Sequence, residues 1–92
     1  MALKRLELTY SGRLDQVDFR DTAERFATAH DLKGYVRKFP NGAVKIVVEG
    51  EEKKLDGFMR DFNDDMDIFI EHLSTQWFPA TGEYDTFRFL NI

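Results

Sequence analysis

Leu6, Leu8 and Tyr10 alternate with Glu7 and Thr9, and from Phe19 the apolar and small positions fall instead at 19, 23, 26 and 27. A period of two marks a half-buried strand and a spacing of three to four an amphipathic helix, so the chain opens as a strand that leads into a helix. Ser11-Gly12 ends the strand. The helix carries Asp21 and Thr22 in its first turn and ends near His30-Asp31. Gly34 then opens a short strand through Tyr35 to Phe39, Pro40-Asn41-Gly42 is a turn, and Ala43 to Glu49, rich in β-branched residues, returns as the second arm of a hairpin.

After Gly50, Leu55, Phe58, Met59 and Phe62 recur at helical spacing, with Glu51 and Glu52 suited to a helix N-terminus. Met66, Phe69, Ile70 and Leu73 continue that stripe, while Ile68 to Ile70 would serve a strand equally well. Asn63-Asp64-Asp65 makes a poor helix interior, so a strand is expected near residues 67–75, with Trp77-Phe78-Pro79 in a loop beyond it. Thr81-Gly82-Glu83 marks a bend and Thr86 to Ile92 a last strand. The order β-α-β-β-α-β plus a terminal strand predicts a single α+β domain over residues 1–92. Its expected form is a ferredoxin-like sandwich, an antiparallel sheet with both helices on one face and an extra C-terminal strand.

Apolar residues make up 42% of the chain, including nine phenylalanines, and there is no cysteine. A core must therefore form without disulfides, and thiol nucleophiles and thiolate metal sites are excluded. His30 and His72 lack ligand spacing, and the acidic run Asp64, Asp65, Asp67 reads as a solvated turn, so neither a metal nor a cofactor is expected. Met1 to Tyr10 carries Lys4, Arg5 and Glu7 and does not read as a signal peptide, and no apolar run approaches the roughly 20 residues that cross a bilayer. A cytoplasmic monomer without membrane association is expected. A net charge of −4 argues against nucleic acid, whereas Arg13, Arg20, Arg37 and Lys38, if gathered on one face, would form a local patch whose size suits a small anion.

The stretch Gly12 to Arg20, G-R-L-D-Q-V-D-F-R, bears most on function. It is a short loop closed by an arginine at the mouth of a helix. Helix starts offer unpaired backbone N–H groups and the positive end of the macrodipole, and a guanidinium adds a forked, permanent cation, which together make an anion site. Asp15 and Asp18 lie in the same loop and oppose an anion there.

These residues resemble the acylphosphatase family, whose signatures read G-x-V-Q-G-V-x-F-R and G-x-V-x-N-x-x-D-G-x-V. The chain keeps Gly12, Val17, Phe19 and Arg20 of the first, with Leu14 for valine, and Gly34, Val36, Gly42 and Val44 of the second, with Asn41 at the aspartate position. The likeness spans roughly residues 6 to 62, and Phe87 is similar to the family's closing strand. It implies hydrolysis of acyl phosphates by Arg20, with the loop Asp15, Gln16, Val17, Asp18 and Phe19 holding the phosphoryl group through its amides. Lys38 stands where the family has the asparagine that orients water, Asp15 where it has glutamine, and Gln16 where it has glycine. A protonated lysine donates hydrogen bonds but accepts none. Weak or absent turnover is therefore expected, with a non-catalytic anion-binding or protein-interaction module on the same fold as the alternative.

Overall fold

In the computed structural model, which describes residues 3–14 and 18–90, the chain forms β1 (Leu3–Gly12), α1 (Phe19–Ala29), β2 (Lys33–Lys38), β3 (Val44–Glu51), α2 (Glu52–Met66), a 3-10 turn (Asp67–Phe69), β4 (Ile70–Pro79) and β5 (Phe87–Leu90). The strands make one sheet in the order β4-β1-β3-β2-β5. β1 pairs antiparallel with β3 and β4, β2 antiparallel with β3, and β5 runs parallel to β2 at the far edge. The α+β sandwich read from the order of elements is present, with a parallel fifth strand that the order alone does not reveal.

Register explains the core. Leu6 faces Val48 and Gly34 across three strands, Leu8 faces Ile46 and Val36, and Tyr10 faces Val44 and Lys38. The apolar members of these rows are buried on the helix side of the sheet, against Phe19, Ala23 and Ala27 of α1 and Leu55, Phe58, Phe62 and Met66 of α2. Each fully buried Leu, Ile or Phe stabilises by about 1.5–3 kcal/mol relative to exposure, so this layer holds the fold without cross-links. Lys38 ends the last row.

Two expectations are corrected. Asn63-Asp64-Asp65 does not break α2: Phe62 and Met66 lie one turn apart in the core, and Asn63 Oδ1 accepts a 2.7 Å hydrogen bond from the buried Tyr10 hydroxyl. Tertiary packing outweighs the local preference of these residues. The strand expected near 67–75 consequently starts at Ile70, and it runs on through Trp77-Phe78-Pro79, which is strand rather than loop. Trp77 and Phe78 are about two-fifths exposed, because β4 is an edge strand.

Between β4 and β5 the chain crosses the sheet face opposite the helices. Arg5, Glu49 and Tyr35 sit on that face by alternation with Leu6, Val48 and Val36. The crossing segment is fastened to them. Thr81 N–H and its hydroxyl both donate to Glu49 Oε2 at 2.9 Å, and Gly82 N–H donates to Oε1 at 2.9 Å. Arg5 reaches Glu83 at 2.9 Å and lies over the Tyr84 ring, which packs on Tyr35 with centroids 5.8 Å apart. Burial alone would push the Glu49 carboxyl up, but the Thr81 and Gly82 donors together with Arg5 outweigh it and hold the group below its ordinary value.

Candidate functional site

The loop that precedes α1 leaves β1 at a fixed point. Register shifts between Ser11 and Gly12, Gly12 has φ +141°, and a Cβ there would collide with the Phe69 carbonyl oxygen. Arg13 then donates its N–H to that same oxygen at 2.8 Å and its guanidinium to the Ile68 carbonyl at 3.2 Å. Glycine is needed where the chain turns this tightly against the 3-10 turn.

Asp18 caps α1. Its carboxylate accepts from Asp21 N–H at 3.2 Å, and its carbonyl accepts from Thr22 N–H and from the Thr22 hydroxyl. That carboxylate therefore serves the helix start as a cap and sits within the field that the expected anion would occupy. Phe19 turns its ring into the core, where it is only 4% exposed, so its contribution to a site is limited to its backbone. Asp15, Gln16 and Val17, expected to supply amides, lie outside the described residues.

Arg20 stands exposed in the first turn of α1 with its guanidinium carbon over the Phe89 ring, 4.6 Å from the centroid. It opens onto a cleft of about 300 Å³ whose described lining is Asp18, Arg20, Asp21 and Glu24 of the α1 segment, Val36 of β2, and Phe87 and Phe89 of β5. Among the described residues Arg20 forms no ion pair. A cation at a helix start, beside open space, is what capture of an oxyanion requires.

Lys38 is the last residue of β2, opposite Val44, and it too is exposed and unpaired among the described residues. Alternation places its Cβ on the same side of the sheet as Val36, about 6.6 Å further along the strand. The two candidate catalytic side chains thus share the helix side of β2 and its neighbour α1, although Lys38 does not line the cleft itself. No ion pair joins Lys38 to Asp18. The two histidines lie apart from this region: His30 Nε2 meets Asp61 Oδ2 at 2.7 Å between the helices, and His72 is on β4.

Phe89 was not legible as a site residue in the sequence. Its neighbour Phe87 marks a closing strand, but only the parallel pairing of β5 with β2, which sets Phe89 opposite Val36 and Phe87 opposite Gly34, brings either ring to the mouth of α1.

Comparison with known proteins bears on the family and the fold. The acylphosphatase family model matches residues 6–89. That span extends well past residue 62 and takes in β4 and most of β5. An acylphosphatase of Marinobacter nauticus is 33% identical over 89 residues, covering 96% of this chain and 97% of that protein. One from Syntrophus aciditrophicus is 31% identical over 90 residues, covering 96% and 93%. The crystal structure of acylphosphatase from Bacillus subtilis superposes with a TM-score of 0.85 over 95% of this chain and 98% of that one, at 21% identity, a likeness of fold.

Proposed function

The chain belongs to the acylphosphatase family, and from that membership we propose that it hydrolyses acyl phosphates, the small anhydrides of a carboxylic acid with phosphate, at the cleft beside α1 and with low turnover. The observation that supports this reading most is Arg20, held at the start of a helix over an open cleft and without an ion-pair partner among the described residues.

In the proposed reaction water attacks phosphorus, the bond from phosphorus to the bridging oxygen breaks, and its electron pair leaves with the carboxylate. The products are a carboxylate, inorganic phosphate and one proton given up to solvent. A carboxylate whose conjugate acid has a pKa of about 4 departs without being protonated, so no general acid is needed. What the site must supply is charge near the equatorial oxygens and a fixed position for the water. Arg20, with the amides of residues 15–19, takes the first task. Lys38 adds positive charge but cannot accept a proton-bearing hydrogen bond from water, and loss of one well-placed transition-state contact typically lowers kcat by about 10²–10³.

Hydrolysis of benzoyl phosphate by the wild type, Arg20→Ala and Lys38→Asn tests this. The wild type should exceed Arg20→Ala, and Lys38→Asn should raise kcat by about 10²-fold or more, the range one such contact supplies. A wild-type rate equal to that of Arg20→Ala would refute the hydrolase. The exposed Lys38 cation favours a second reading, an anion-holding module without turnover. It requires saturable phosphate binding together with no gain from Lys38→Asn.

A further inference from the structure

We propose that Phe89 is a positioning residue, which keeps the Arg20 guanidinium open to an anion by withholding it from the carboxylates of α1. The inference rests on the phosphoryl-binding reading of the cleft. Glu24 lies one helical turn beyond Arg20, at the spacing where opposite charges on a helix meet, and Asp18 and Asp21 line the same cleft. Nevertheless no described carboxylate comes within 4.0 Å of the guanidinium nitrogens. The carbon of that group lies instead over an aromatic ring on a different element, 4.6 Å from its centroid.

The chemistry of the two partners differs in one respect that matters here. A carboxylate would fix the guanidinium but cancel its charge. An aromatic face attracts the cation through its quadrupole, fixes it equally and leaves the charge intact. Guanidinium N–H groups all lie in the plane of the group, so a ring that meets its face leaves the edge available to the fork of a phosphate. The arrangement is made by long-range pairing: β5 runs parallel to β2, Phe89 sits opposite Val36, and both residues line the cleft. The Arg20–Glu24 order, with the cation on the N-terminal side, is also the weaker orientation of an i, i+4 pair, which makes capture preventable by a contact as modest as this one.

The test is a titration with inorganic phosphate at constant pH and ionic strength, followed by ¹⁵N NMR at the Arg20 amide and side-chain N–H. Phe89→Leu keeps an apolar floor and removes the ring; its phosphate Kd should rise about fivefold, the scale of an exposed cation–π contact. Phe89→Trp should return Kd to within about twofold of the wild type, the ring face being restored. Glu24→Gln removes a carboxylate from the cleft and so tightens phosphate in either background, but in Phe89→Leu it should recover at least half of the loss and gain clearly more than it does in the wild type, a coupling that a purely structural role for Phe89 would not produce. In the ligand-free wild type the Arg20 side-chain protons should show an upfield ring-current shift that Phe89→Leu abolishes, a readout that does not depend on the stability of any other variant. An unchanged Kd in Phe89→Leu, a gain from Glu24→Gln no larger in that variant than in the wild type, or the lack of that ring-current shift overturns the proposal and leaves the hydrolase standing. A wild type with no saturable phosphate shift overturns the phosphoryl-binding reading and the proposal together.

Discussion

Glu49→Gln tests whether the fastening of the β4–β5 crossing segment matters to the fold. In the wild type Glu49 Oε2 accepts from both the Thr81 N–H and its hydroxyl, and Oε1 accepts from Gly82 N–H, each at 2.9 Å. Arg5 lies 3.6 Å from Oε2. A glutamine of the same shape has one oxygen and one NH₂. Whichever way the amide is turned, a backbone N–H of Thr81 or Gly82 faces a donor and loses its acceptor, and the surviving bonds are no longer charge-assisted. Leaving one such donor unsatisfied costs about 1–3 kcal/mol, and the weakened neighbours add to it, so a loss of about 2–3 kcal/mol is expected. For a domain of this size each kcal/mol shifts Tm by roughly 4–8 °C, which gives a fall of roughly 10–20 °C.

The pH dependence has a definite sign. The folded-state carboxyl of Glu49 titrates below its ordinary 4.5, so its stabilisation is fully present above that value and is lost as pH falls through the folded-state value. Thermal melts followed by circular dichroism should show the largest difference between variant and wild type near neutrality, narrowing below pH 4.5. A Tm at pH 7 within about 3 °C of the wild type, or a difference that grows on acidification, would mean that the Glu49 carboxylate does not hold the crossing segment.

Other outcomes follow from the same geometry. Gly34 has φ +151° and a Cβ there would strike the Val47 carbonyl oxygen, so Gly34→Ala should destabilise by about 3 kcal/mol or more, read as a lowered urea midpoint; a midpoint unchanged from the wild type would contradict the packing of β2 on β3. Tyr10→Phe removes the donor to Asn63 and should cost about 1 kcal/mol in the same assay with an unchanged m-value, a neutral result meaning that Asn63 does not anchor α2.

How much of this could be read in advance depends on where each signal is stored. The alternation of Leu6, Leu8 and Tyr10 and the helical spacing after Phe19 are local, and β1 and α1 follow them closely. The end of α2 is set by Tyr10, fifty-three positions from Asn63, and so local propensity placed the strand start three residues early. Trp77 and Phe78 look like loop residues only while β4 is assumed to end before them; their half-exposure on an edge strand has no signature in the residues themselves. At the cleft, Arg20 was legible as a candidate because a loop, a helix start and a cation adjoin in sequence. Phe89 was not, because its place in the cleft depends on a parallel pairing at the opposite edge of the sheet from β4.

If Arg20 and the start of α1 form an open receptor for a phosphoryl group, a phosphate must be felt there. The most direct measurement is the response of the Arg20 side-chain N–H and the amides of residues 18–21 to added inorganic phosphate, in the wild type and in Arg20→Ala. An open receptor there gives saturable shifts confined to this region, absent from the variant at the same concentrations. Shifts of equal size and midpoint in both proteins, or none in either, would contradict it.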